Sequence, residues 1–216
     1  MALSTIPTLP VVLPLTSRDL GLADQGNYFT ALTPTPGTGI IGFATTTTLV
    51  IGEANPYLYL YNAGPATIYP SYLRLNLTVA GAGSGATRFD HTVDVGNKQT
   101  TVGTALTINN TNIGSNVASR ALISVGINVC NAPSTGRRVL GNQSYRPTIG
   151  IVNDVYQFNF GVTTVEPIAP VATLCNFSYS YAQPVIPPGY NWSVVFWSAG
   201  TTSAPTFEVE LGYFEK

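Results

Sequence analysis

Residues 72–80 read Tyr-Leu-Arg-Leu-Asn-Leu-Thr-Val-Ala, and this stretch decides the fold class. Every second residue is apolar and the residues between them are polar, with Leu73, Leu75, Leu77 and Val79 set against Arg74, Asn76 and Thr78. A period of two is typical of a β-strand that buries one face and exposes the other, because successive side chains of a strand point in opposite directions. The stretch therefore predicts a half-buried strand.

The same alternation recurs along the chain. Residues 123–130 alternate Ile, Val, Ile and Val with smaller or polar side chains, and residues 207–213 alternate Phe, Val, Leu and Tyr with two glutamates and a glycine. Further strand candidates are residues 40–51, 56–62, 88–95, 138–141, 155–160, 172–179 and 190–198. Gly, Pro, Asn and Ser clusters separate many of these segments, as turns require. The pattern predicts an all-β protein: a single antiparallel β-sandwich, with jelly-roll connectivity expected.

Composition narrows the classes of function. The chain has 216 residues and a net charge of −1; 44% of its residues are hydrophobic and only 9% are charged. It is long and apolar enough to form a sizeable core. The near-neutral charge and scattered basic residues disfavour nucleic acid and polybasic membrane binding as functions. No run approaches the roughly 18 apolar residues that a membrane helix needs.

Residues 1–39 differ from the rest because many of the prolines lie there, among small and apolar residues. Proline fixes φ and lacks an N–H, so the stretch is expected to be neither helix nor central strand. We predict an extended N-terminal arm at 1–39 and a sandwich domain at 40–216. The arm would lie along its own sandwich or along a neighbouring subunit. Its candidate contact residues are Ile6, Leu9, Val11, Val12 and Leu13.

Few residues suggest chemistry. The single histidine, His91, lies on a predicted strand between Asp90 and Asp94, whose four-residue separation spans about 13 Å. The carboxylates therefore cannot share an ion without help, and the segment predicts a surface ladder of Arg and Asp with a half-buried His behind it. No Gly-x-Ser-x-Gly elbow occurs. Cys130 and Cys175 are expected as buried free thiols, although one disulfide is possible. We therefore predict no catalytic residue, no metal, no cofactor and no enzyme activity.

Three further features bear on binding. The glycine-rich run at 81–85 leads into a strand, so it predicts a hairpin tip and not a phosphate loop. The basic doublet Arg137–Arg138 is expected to be a solvated strand start, or else to meet an acidic patch on a partner, such as the glutamates at 208, 210 and 215. Tyr57, Tyr59 and Tyr61 are expected on one strand face as an aromatic stripe, which suits a core or a protein interface better than a sugar site.

A resemblance rests on the order and texture of several segments. Residues 19–29 (DLGLADQGNYF), 33–40 (TPTPGTGI), 57–64 (YLYLYNAG), 72–83 (YLRLNLTVAGAG), 187–200 (PPGYNWSVVFWSAG) and 207–216 (FEVELGYFEK) resemble structural proteins of tailed bacteriophages that decorate or cement the head. The resemblance implies folding in the host cytoplasm and docking as oligomers, often trimers, on the outside of a preformed shell, with arms crossing subunit boundaries.

From these observations we expect a virion protein on the capsid exterior that bridges capsomers. Its partners would be the major capsid protein and further copies of itself, in a homotrimer or another oligomer. The arm residues and the tyrosine stripe would form the contacts. The alternative is a fibre or lectin-like module that binds a host glycan through the tyrosine stripe.

Overall fold

The computed structural model describes residues 18–42, 54–83, 87–146, 150–161, 176–197 and 201–216. Within these ranges the chain is almost entirely β-strand, with one short helix. The helix is α1 (Arg18–Asp24), and the strands are β1 (Tyr28–Leu32), β2 (Ile40–Ile41), β3 (Leu58–Asn62), β4 (Ile68–Val79), β5 (Ala82–Gly83), β6 (Thr87–Val95), β7 (Gln99–Thr101), β8 (Thr104–Ala105), β9 (Thr107–Asn110), β10 (Ala121–Val125), β11 (Val129–Cys130), β12 (Arg138–Arg146), β13 (Val155–Phe160), β14 (Asn176–Tyr181), β15 (Tyr190–Trp197), β16 (Thr201–Ser203) and β17 (Thr206–Glu215).

Two large sheets form the body. Sheet A has the strand order β14-β13-β4-β17-β1-β9, with β2 paired to the start of β17, and sheet B has the order β12-β6-β15-β3-β10-β8. All of their pairings are antiparallel except the parallel pair β13–β14. The two short pairs β7–β11 and β5–β16 lie outside the large sheets. The predicted all-β sandwich is confirmed, and the jelly-roll connectivity stays a prediction.

The core lies between the two sheets. Sheet A contributes the buried residues Leu73, Leu75, Leu77, Phe158, Phe160, Phe207, Val209, Leu211 and Tyr213, and sheet B contributes Leu58, Leu60, Phe89, Ile123, Val125, Trp192, Val194 and Phe196. Aromatic rings join the layers: Phe89 of β6 stacks on Phe158 of β13 with ring centroids 3.8 Å apart. The alternation at 73–77 and at 207–213 is therefore confirmed as the inward face of two neighbouring strands.

The predicted strand at 123–130 is interrupted. β10 ends at Val125, and Gly126 takes a positive φ of 90° before β11 begins at Val129. A Cβ at Gly126 would stand 2.7 Å from the carbonyl oxygen of Ile41, so this turn requires glycine. Because the chain turns here, Ile127 is 47% exposed and does not continue the inward face.

The description of residues 1–39 as one extended arm is wrong for the part that the structure describes. Arg18–Asp24 is a helix, and Tyr28–Leu32 is a strand between β17 and β9 in sheet A. Proline does not oppose this, because none occurs between residues 15 and 33. Leu22 packs with Tyr28 and Phe214, which places α1 against the sandwich. The candidate contact residues Ile6, Leu9, Val11, Val12 and Leu13 lie outside the described residues.

Candidate interaction surfaces

The tyrosines at 57, 59 and 61 do not form an exposed stripe. Tyr57 precedes β3 and is buried in the core, where its hydroxyl donates to the carbonyl oxygens of Ile40 (2.8 Å) and Phe207 (3.2 Å). Tyr59 is buried on the other side of sheet B, and its hydroxyl donates to Asn97 Oδ1. Burial raises the pKa of both hydroxyls, that of Tyr59 to about 12. Tyr57 precedes β3 and does not follow the alternation of that strand, so it points to the other side of sheet B from Tyr59. The prediction that the three tyrosines share one face is therefore wrong. Of the three side chains, Tyr61 alone is partly exposed.

The outer face of sheet B is polar and yet buried, because residues 97–103 and 128–134 cover it. Asn128 is fully buried and joins this cover to the sheet. Its Nδ2 donates to the carbonyl oxygens of Pro56 (3.2 Å) and Tyr57 (3.0 Å). Its Oδ1 accepts from the Ser124 hydroxyl (2.8 Å), from Gln99 Nε2 (2.8 Å) and from the Gly103 amide (2.9 Å). A single amide thus satisfies polar groups from three segments of the chain, at residues 56–57, 99–103 and 124.

The predicted surface ladder of Arg and Asp is not a surface, and Asp94 lies under this cover, where it accepts hydrogen bonds from Ser134. Asp90 and Asp94 are both buried. Arg88 Nε forms an ion pair with Asp90 at 2.6 Å, but burial outweighs that pair and raises the pKa of Asp90. Burial also acts to raise the pKa of Asp94, and hydrogen bonds from the Ser134 hydroxyl and amide and from the Val95 amide overcome it, so the pKa is lowered.

His91 is fully buried, where a half-buried position was expected. Its Nδ1 accepts a hydrogen bond of 3.1 Å from Trp192 Nε1, so the proton of the neutral ring is on Nε2. The rings of Phe89, Phe160 and Tyr181 surround it. Burial lowers the pKa of His91 to about 4. Among the described residues, His91 Nε2 has no hydrogen-bond partner. This environment keeps the imidazole neutral and away from any substrate in bulk water.

The other reactive groups are similarly placed. Cys130 is a buried free thiol, and burial raises its pKa to about 11, so it is not a nucleophile at neutral pH. Cys175 lies outside the described residues. Across the described ranges, no three His, Cys, Asp or Glu side chains are grouped as metal ligands. The glycine-rich run forms β5 at residues 82–83 and leads into the strand β6 at Thr87, not into a helix, and residues 84–86 lie outside the description.

An open groove of about 250 Å³ lies on the outer face of sheet A. Its floor is the paired strands β4 and β17, where Arg74 lies opposite Glu210 and Asn76 opposite Glu208. The turn that follows β1 forms its wall. Leu32 and Pro36 are apolar lining residues, and the polar ones are Thr33, Arg74, Asn76, Glu208 and Glu210. Val209 also borders the groove, but its side chain is buried in the core.

Hydrogen bonds fix the carboxylates of the groove. Glu208 accepts from Asn76 Nδ2 at 3.0 Å and from the Gly37 amide. Glu210 accepts from the Tyr72 hydroxyl and lies 3.7 Å from Arg74 Nη1. The Arg74 and Glu210 side chains are 50% and 36% exposed, so water screens this ion pair. With two carboxylates and one guanidinium, the groove carries a net charge of −1 and can accept a cation.

The sequence indicated only part of this groove. The glutamates at 208 and 210 were recognised as an acidic patch with Glu215, but Glu215 lies apart and accepts from the Ser119 hydroxyl and the Arg120 amide. The alternation predicts Arg74 and Asn76 on the solvent-exposed face of a strand, but it indicates no role for them. The missing information was the pairing register of β4 with β17, which joins residues more than 130 positions apart and which no local pattern encodes.

Arg137 and Arg138 lie at the start of β12, the edge strand of sheet B. Arg138 and Val139 are exposed, and Arg137 is partly buried. The predicted solvated strand start is confirmed for Arg138.

No helix in the described part of the chain is long and apolar enough to cross a membrane. Comparisons of this chain with protein-family models, with curated proteins and with solved structures find no match.

Proposed function

We propose that this chain is a capsid decoration protein that binds the outside of a phage head and bridges neighbouring capsomers. One observation carries the proposal: α1 is packed on the outside of a rigid sandwich and is directly preceded by an uncharged, proline-rich apolar segment. Leu22 of α1 contacts Tyr28 and Phe214, next to the stacked pair Tyr69–Phe214 at 4.8 Å. This anchor holds the start of α1 on the sandwich, next to residues 1–17, which we propose as the segment that binds a neighbour.

The energetic argument follows from size and copy number. Residues 1–17 contain no charged side chain, so covering them on a neighbouring protein costs little electrostatic desolvation. An interface of roughly 1,000 Å² is large enough to be specific. Oligomers on a repeating shell would engage several sites at once, and such multivalency turns modest affinity into lasting attachment. The sandwich would provide a rigid body, and residues 1–17 would bind the neighbouring protein.

The location of the reactive side chains supports a binding role over a catalytic one. His91 and Cys130 are buried, and their shifted pKa values keep the imidazole neutral and the thiol protonated. The glycan-binding alternative relied on the tyrosines at 57, 59 and 61, and two of these three rings are buried. A glycan array with the purified protein tests that alternative, since a decoration protein should show no sugar selectivity.

Deletion of residues 2–16 tests the proposal. The truncated chain should keep its sandwich, because the strands of both described sheets lie between Tyr28 and Glu215. We expect it to co-sediment with empty heads of the source virus at least tenfold more weakly than the intact chain. A replacement of residues 2–16 by a Gly/Ser segment of equal length is the control for chain length. Equal binding by the intact and truncated chains would contradict the role of the arm.

A further inference from the structure

We propose that copies of this protein associate head to tail, with the Arg137–Arg138 corner of one copy seated in the groove of the next. The corner consists of Arg137, Arg138 and Val139. The groove is the one floored by Arg74, Asn76, Glu208 and Glu210 on sheet A. The inference rests on the self-association part of the proposed function and names the surfaces that perform it.

Charge complementarity is the first argument. Charged residues make up only 9% of the chain, so a doublet of arginines and a pair of neighbouring carboxylates are conspicuous on its surface. Arg138 is exposed, and the groove has an excess of one negative charge. Opposite charges on two patches orient an encounter and exclude wrong partners. The groove would thus accept a guanidinium in a defined orientation.

Preorganisation is the second argument. The Asn76 amide and the Gly37 N–H hold Glu208, and the Tyr72 hydroxyl holds Glu210, before any partner arrives. Binding therefore does not have to order these two side chains. Each carboxylate oxygen has two lone pairs, so both groups retain acceptor capacity for an incoming guanidinium.

Apolar area is the third argument, because a pair of exposed charges alone contributes little affinity. Leu32 and Pro36 supply apolar lining of the groove. Arg138 and Val139 point to opposite faces of β12, so Arg138 alone enters, and its methylene stem can pack on that lining. The side chain would displace water from an open groove of about 250 Å³, which adds hydrophobic stabilisation to the electrostatic orientation.

The arginine corner that fills the groove belongs to a second copy, because the Arg137–Arg138 corner of a chain cannot reach the groove of that same chain. β12 is an edge strand of sheet B, whereas the groove opens from the outer face of sheet A over strands β4 and β17. Packed sheets lie about 10 Å apart and neighbouring strands about 4.8 Å apart, so the Arg138 side chain falls short. Two different surfaces that pair head to tail give a closed ring when the rotation closes. A ring of three would agree with the trimer expected from the sequence.

A charge-swap experiment tests the contact. Arg138→Glu and Glu210→Lys are each expected to weaken self-association at least tenfold in sedimentation velocity at 50 mM NaCl, because each places like charges against each other. Mixing the two variants should restore association between unlike copies, since the corner of each variant then faces a groove of opposite charge on the other. A ring of three contains two such contacts. Wild-type association should weaken in 1 M NaCl. Lys216→Glu, at the exposed last residue, is the matched control and should associate as the wild type does.

The double variant Glu208→Gln, Glu210→Gln separates charge from shape, because glutamine keeps an acceptor oxygen for the Asn76, Gly37 and Tyr72 donors. It should associate as weakly as Arg138→Glu while its circular dichroism matches the wild type. A monomeric wild type at 1 mM, an unaffected Arg138→Glu variant, or folded swap variants that do not recover on mixing would each overturn the inference. Head binding is measured separately: association through this contact without head binding would contradict the proposed function and leave the inference standing.

Discussion

At the scale of the residue, the burial of His91, the single histidine, makes the free energy of unfolding depend on pH. The pKa of His91 is lowered from 6.5 to about 4, so the unfolded chain binds a proton that the folded chain resists. The contribution of His91 is fully present above pH 6.5 and is lost as the pH falls from 6.5 toward 4. We expect a loss of about 3 kcal/mol in the free energy of unfolding between pH 7.5 and pH 4.

Urea denaturation at several pH values measures this effect. His91→Gln keeps an acceptor for Trp192 Nε1 and removes the titration, so its stability should depend less on pH than that of the wild type. The comparison is made as a difference because Asp90, whose pKa is raised, acts in the opposite direction in both proteins. Parallel pH profiles of the two proteins would show that His91 does not carry the effect.

Gly141 provides a second test at this scale. It lies opposite His91 in the β6–β12 pairing, and an added Cβ would stand 2.6 Å from His91 Nε2 and 3.1 Å from Tyr181 Cε1. Both neighbours are rings in a packed aromatic cluster and have little room to move. Gly141→Ala should therefore lower the thermal midpoint, at a cost of about 1–3 kcal/mol. Gly136→Ala, where the nearest atom is 3.9 Å away, should leave it unchanged.

These residue environments were only partly accessible from sequence. Strand alternation predicts that His91 and Asp90 point to opposite faces of β6 and that His91 shares its face with Phe89 and Val93, because neighbouring residues of a strand face opposite ways. The structure confirms this arrangement. It gave no indication that the Asp90 face is buried as well. On that face, Asp94 is covered by residues 128–134, whose Ser134 lies 40 residues away in sequence, and such coverage is a tertiary property.

At the scale of the element, the cover over sheet B depends on one side chain. Asn128→Ala would leave the carbonyl oxygens of Pro56 and Tyr57 and the Gly103 amide without the partner that they have now. The Tyr57 carbonyl oxygen keeps a hydrogen bond from the Gly126 amide, so two of the three groups are left unsatisfied. An unsatisfied buried polar group costs about 1–3 kcal/mol, so we expect a total of at least about 2 kcal/mol.

Hydrogen exchange localises the effect of that substitution. The amides of β7 and β11 should lose protection first, while those of β4 and β17 in sheet A keep it, because the cover packs on sheet B alone. Asn131→Ala, at a neighbouring exposed position, is the matched control. A uniform loss of protection in both sheets would mean that the cover is not a separate unit.

Elements with strict alternation were the ones that sequence predicted well. β4 and β17 have one apolar face and one polar face, and their periodicity alone assigned both. The sequence does not predict the helix α1 or the strand β1, because the prolines on either side of residues 18–32 favour an extended chain over the whole segment. β10 ends before the predicted position because the chain turns at Gly126. The cause lies in another strand, since Ile41 approaches Gly126 closely.

At the scale of the whole molecule, the body and the N-terminal segment should be separable. The strands of both described sheets lie between Tyr28 and Glu215, so deletion of residues 2–16 should leave the urea midpoint nearly unchanged. Circular dichroism with urea titration checks this expectation. A large loss of stability would indicate that the segment belongs to the fold and not to an interface.

The central claim is that this molecule works by attachment to a shell. The proposed function assigns the chain to a phage head, and cryo-electron microscopy of purified particles of such a phage, after addition of the purified chain, tests this claim most directly. The account predicts extra β-sandwich density on the outside of the head, at boundaries between capsomers, and its loss when residues 2–16 are deleted. Density confined to a tail or fibre, or heads that stay bare at saturating protein, would contradict it.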